Sequence, residues 1–180
     1  METAVRELLF HARRPRDPDT LVLAGVIGTS LAAGRKPLIR GLSEARFQKL
    51  LNEYFLGVVL ENGRAADVPR DDDEFGDLVE LLLESRSTPT ETSAWLAYAV
   101  ATGAMGENHL WQDMGLPNRK HLSDFLHQRF APLAARNTGD MKWKKFFYRQ
   151  LCQRAGVPIC KSPHCADCSD HAICFGAEDD

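Results

Sequence analysis

Five of the 180 residues are cysteines, and all of them fall between positions 152 and 174. Four, Cys160, Cys165, Cys168 and Cys174, are spaced C-x4-C-x2-C-x5-C in a single fifteen-residue run. Disulfides that staple a fold are spread along it, whereas thiols gathered in a short segment mark a metal or metal–sulfur centre. The two-residue gap lets a loop wrap one side of a compact core with backbone N–H groups turned toward sulfur. The longer arms then reach the remaining corners. Iron–sulfur clusters take thiolates in such runs. Structural zinc also takes four cysteines, but in two short-spaced pairs held apart by a longer spacer. One close pair inside a single loop favours a cluster over zinc. His164 and His171 lie within the loop, as substitute ligands or as hydrogen-bonding neighbours of the ligands. Cys152 sits apart, beside Leu151 in an amphipathic segment, and reads as a core or edge cysteine.

The segment before the loop has a charge pattern of its own. Between Met141 and Cys160 there are five basic residues and no acidic one, although the chain as a whole has a formal net charge of -3. At a helical period, Trp143, Phe146, Phe147 and Leu151 share one arc, and Lys142, Lys145 and Arg149 share another. A solvated face accounts for such a pattern. So does an electropositive approach that attracts an oxyanion such as molybdate, or offsets the charge of a thiolate-ligated cluster. The aromatic residues read as core.

Helical periodicity runs through almost the whole chain, and no long strand-like alternation interrupts it. Helices are expected over 2–12 and 19–33, then from Ser43 with Phe47, Leu50, Leu51, Tyr54 and Phe55 on one face. The acidic run Asp71-Asp72-Asp73-Glu74 opens another, its charge placed at the positive end of the helix dipole. In Thr88-Pro89-Thr90-Glu91 the threonine at 88 is expected to cap, with proline at the first helical position. A short helix around His109-Leu110-Trp111 stops at Gly115. Asn118 caps the next, which Pro132 is expected to kink, and a last helix over 140–155 ends at Gly156. After Ile159 apolar residues are scarce, and a metal centre would supply the missing folding energy. The fold class is therefore all-α. Residues 1–158 form a helical domain, and residues 159–180 form a cysteine-rich cluster-binding segment packed on it.

Composition narrows the functional class. The acidic balance and a pI near 6.1 argue against a duplex nucleic-acid binder. The longest uncharged apolar run, Thr20 to Gly34, falls short of the roughly 20 residues of a membrane span and holds three glycines. No export signal is visible, so the expected compartment is the cytoplasm. Nothing resembles a catalytic triad, a phosphate loop or a nicotinamide motif, and turnover in the ordinary sense is not expected.

The segment Asp140-Met141-Lys142-Trp143-Lys144-Lys145-Phe146-Phe147-Tyr148-Arg149-Gln150-Leu151-Cys152, followed by the four-cysteine run with Cys174-Phe175-Gly176 closing it, resembles the nitrogen-fixation family NifQ. His109-Leu110-Trp111-Gln112-Asp113-Met114-Gly115-Leu116 is similar to the same family, and the likeness is specific over roughly residues 105–176. The resemblance implies a molybdenum–iron–sulfur cluster on Cys160, Cys165, Cys168 and Cys174. It implies molybdenum supply to the iron–molybdenum cofactor of nitrogenase, with the NifEN scaffold and NifH as assembly partners. His109 enters as a nitrogen ligand or hydrogen-bonding group, or as a structural histidine. Two rivals remain. DNA glycosylases of the endonuclease III type also end in a four-cysteine cluster loop, but with a longer first arm, and their characteristic hairpin is missing here. A zinc-stabilised interaction module is the other.

Overall fold

The computed structural model describes residues 2–63, 72–157, 169 and 171–178. In chain order these carry α1 (Glu2–Phe10), α2 (Pro18–Ala32), α3 (Glu44–Tyr54), α4 (Asp72–Glu84) and α5 (Glu91–Ala104). There follow α6 (Leu110–Asp113), α7 (Arg119–Arg129), α8 (Ala131–Ala134), α9 (Trp143–Ala155) and α10 (His171–Phe175). No strand occurs among the described residues; an isolated antiparallel bridge joins Ala12 to Phe55. The expected all-helical class holds for them. None of their helices is long and apolar enough to cross a membrane.

Helices α2 and α5 are apolar around most of their circumference, and such helices are stable only when others surround them. Accordingly α2 is buried continuously from Val22 to Ser30, and α5 buries Trp95, Leu96, Ala97, Ala99, Val100 and Ala101. The two pack on each other, α1 lies along α2, and α4 lies along α5. Close approach needs small residues. A β-carbon at Gly28 would come within 2.6 Å of the Val5 side chain. One at Gly25 would overlap the carbonyl oxygen of Met114.

Ser43 and Asn118 cap α3 and α7 as expected, each side-chain oxygen accepting from the N–H three residues on. Two expectations are corrected. The cap of α5 is Thr90, two residues later than expected, so Thr88 and Pro89 lie outside the helix. Ser93 decides the matter: its hydroxyl accepts from Thr90 N–H at 2.9 Å, and its own N–H donates to the Thr90 hydroxyl at 3.1 Å, a reciprocal box centred on residue 90. Nor does Pro132 merely kink a helix. The chain leaves helical geometry at Phe130, with φ -132° and ψ 43°, and restarts as α8 with the proline in its first turn.

Asn62, in the connection between α3 and α4, is 1 % exposed. Its amide accepts from Ile39 N–H and donates to the carbonyls of Ile39 and Leu42, all at 2.8–2.9 Å. It thus holds the 38–42 loop in one shape.

Candidate metal-cluster site

Of the four cysteines expected to hold a cluster, Cys174 lies among the described residues, while Cys160, Cys165 and Cys168 lie outside them, as does His164. Among the described residues no three His, Cys, Asp or Glu side chains converge as a metal site.

Helix α10, which periodicity did not anticipate, sets Cys174 and Phe175 against the edge of the apolar core. The carbonyl of Cys174 accepts the N–H of Lys142 at 2.8 Å. Lys142 is the residue before α9, so this bond joins the last cysteine of the motif to the start of the basic helix. An N-terminal N–H that would otherwise lack an intrahelical acceptor is satisfied in the process. The Phe175 ring lies over Gly139, where a β-carbon would stand 3.2 Å from it. His171 is exposed and stacks on Phe175, with ring centroids 4.5 Å apart.

The loop leading into α9 is built to receive this segment. Asn137 brackets it, its amide donating to the Met141 carbonyl and accepting from the Met141 N–H, both at 2.9 Å. Asp140 takes a positive φ of 53°, a conformation that Asp tolerates better than most residues. Arg119 donates to the carbonyl and the carboxylate of Asp140, both at 2.9 Å. Beyond α10, the buried Glu178 carboxylate places one oxygen 3.8 Å from His109 Nδ1 and 3.9 Å from Arg119 Nε. Residues 171–178 are thus held at Cys174 and again at Glu178. His109 faces a carboxylate here. Neither Glu178 nor Arg119 was a sequence candidate. Glu178 belongs to the acidic stretch Glu178-Asp179-Asp180, and only the fold brings Arg119 beside it.

Helix α9 divides as its periodicity indicates. Trp143, Phe146 and Phe147 are buried as core, and the Trp143 indole N–H donates to the Ser123 hydroxyl at 2.9 Å. The five basic residues from Lys142 to Arg154 do not act alike. Lys144 reaches inward and donates to the buried Asp113 carboxylate at 2.5 Å and to the Gly106 carbonyl at 2.7 Å. Arg154 pairs with Glu84 at 3.0 Å. Lys142, Lys145 and Arg149 remain on the other arc, Lys145 exposed and the other two half-buried. Cys152 is half-buried on the same helix.

Fold and site together define an all-helical protein whose last motif cysteine is docked at the N-terminal end of a basic amphipathic helix. The family model for NifQ matches residues 21–176. A NifQ protein of Rhodobacter capsulatus is 38 % identical over 151 residues, covering 82 % of each chain. That of Azotobacter vinelandii is 45 % identical over 106 residues, 59 % of this chain and 54 % of its own. A NifQ homologue of Sinorhizobium fredii is 36 % identical over 140 residues, 76 % of this chain and 60 % of its own. The alignments thus span little more than half of the Azotobacter and Sinorhizobium relatives, and most of the Rhodobacter one. No solved structure matches. The chain belongs to the NifQ family, which implies a role in nitrogen fixation.

Proposed function

We propose that this protein is a carrier that holds a molybdenum–iron–sulfur cluster as its cargo and supplies molybdenum for building the iron–molybdenum cofactor of nitrogenase. One observation carries the reading: in a NifQ-family chain, four thiols fall in fifteen residues, and the last of them is anchored through its carbonyl to the head of the basic helix. Thiolates are the soft donors that iron in sulfide clusters prefer. Cys160, Cys165, Cys168 and Cys174 hold the cargo. Lys142, Lys145 and Arg149 attract molybdate toward it by charge. His109 serves as a positioning group for the C-terminal segment through Glu178. The receiving partners are the NifEN scaffold and NifH, and the protein works in the cytoplasm without turnover of its own.

The test is metal and acid-labile sulfide analysis of protein purified without oxygen. Iron, sulfide and molybdenum are expected together. Cys165→Ser or Cys168→Ser should remove bound iron and molybdenum while the helical circular dichroism stays near that of the parent. One zinc per chain with no sulfide would refute the carrier reading, as would unchanged metal content in both variants.

A further inference from the structure

A cavity of about 250 Å³ lies well away in sequence from the cysteines, between the C-terminal ends of α2 and α5 and the loop that joins α2 to α3. Ser30, Arg35, Lys36, Arg40 and Thr102 supply its polar lining, and no carboxylate among the described residues lines it. At about 30 Å³ per water molecule, the volume suits a small solute with part of its hydration shell. It is small for a drug-sized organic ligand.

The charge balance selects the sign of that solute. Each helix C-terminus contributes about half a negative charge. Arg35 and Lys36 more than offset the two helix ends, so the cavity is net positive before Arg40 is counted. A second observation points inward. Ser30 is 1 % exposed, yet its hydroxyl makes no hydrogen bond among the described residues. A buried hydroxyl left without a partner is destabilising. A ligand acceptor in the cavity would remove that cost.

The Lys36 and Arg40 part of the lining is also preorganised. Asn62 clamps the 38–42 loop, and Arg40 N–H donates to the Thr102 hydroxyl at 3.0 Å. The Arg40 guanidinium rests on the Phe75 ring, 4.5 Å from its centre. Lys36 Nζ donates to the Glu61 carbonyl at 2.5 Å, which leaves it two further N–H bonds. Cations fixed by backbone contacts lose little freedom when an anion arrives.

We propose that this cavity is a binding site for a small tetrahedral oxyanion of charge minus two, distinct from the cysteine motif, with Arg35, Lys36 and Ser30 as its donors and Arg40 in its wall. The site stands apart from the carrier reading, since none of its residues belongs to the cysteine segment or to α9.

Calorimetric titration of the full chain with molybdate, sulfate and phosphate tests it. One saturable site per chain is expected, with the three anions competing. Similar affinities would define a general oxyanion site, and a preference for molybdate would assign it to molybdenum uptake; both support the proposal. Paired Arg35→Gln and Lys36→Gln substitutions should weaken binding at least tenfold. Ser30→Ala should weaken it several-fold while the anion-free protein unfolds at the same or a higher temperature, because the hydroxyl it removes has no partner. Absence of binding would overturn the proposal. So would binding that survives both cavity variants but is lost in Lys142→Gln with Lys145→Gln, since the anion would then belong to α9.

Discussion

Asp113 shows how one side chain can reassign another. It is buried, and it accepts from the Asn108 N–H, from the Asn108 amide and from Lys144 Nζ at 2.5–3.0 Å. Gly106 has no side chain because a β-carbon there would overlap this carboxylate. Asp113→Ala would leave the Lys144 ammonium without its counter-charge in a half-buried setting, a change that costs about 3 kcal/mol. Urea unfolding should show a lower midpoint with an unchanged slope. Asp19 is the opposite case. Burial raises its carboxyl above the ordinary value of 3.8, outweighing the hydrogen bond and charge of Arg129, which lower it. The native state therefore holds the proton more tightly than the unfolded one. The stability this contributes is complete below the unfolded value and is lost as pH rises through the folded value. Asp19→Asn lacks this dependence, so its stability relative to the parent should fall as pH drops from 7 toward 4. Unfolding midpoints of both proteins across that range check the sign; the reverse slope would mean that the Arg129 pair dominates.

At the scale of elements, the helices that set the architecture are those with the least decorated sequences. Gly25 in α2 and Gly115 after α6 bring two backbones together, Gly115 at φ 62° and with a β-carbon position 2.9 Å from the Gly25 Cα. Gly25→Ala has only backbone to push against and should destabilise by about 3 kcal/mol. Gly76, exposed within α4, has nothing within 4 Å of its β-carbon position, so Gly76→Ala should stabilise by about 0.5–1 kcal/mol. Thermal unfolding of the two variants should move in opposite directions. The misplaced cap of α5 has a related cause. Thr88-Pro89 and Thr90-Glu91 offer two adjacent start signals, and the choice falls to Ser93, whose hydroxyl bonds Thr90 N–H and the Thr88 carbonyl together. For α7 and α8, proline position was legible but the break at Phe130 was not; that ring is buried in the core, where it meets Phe125 at 6.0 Å between centroids.

Over the whole molecule, the fully buried apolar residues described run from Leu8 to Phe147, and Cys174 and Phe175 pack only against the edge of that core. Stripping metal from the purified protein should therefore leave the far-ultraviolet circular dichroism of the helices nearly unchanged, and a collapse of that signal would show that the centre is structural. The sequence by itself was enough for the helical class, most helix limits and the apolar face of α9, because period, caps and glycine stops act over a few residues. The cysteine spacing is local information of the same kind, and with the Asp140–Cys152 segment it was enough to point to the family. Tertiary structure decided which charges are neutralised. Lys144 and Arg154 look like members of a basic run until α6 and α4 bring Asp113 and Glu84 to them. It also decided that Glu178 closes over His109 and Arg119, that Asn62 is a buried clamp, and that Arg35 and Lys36 meet Ser30 and Thr102 around one cavity. Most of these contacts join residues distant in the chain. Their partners are chosen by how the helices pack, and no local pattern along the chain encodes that choice.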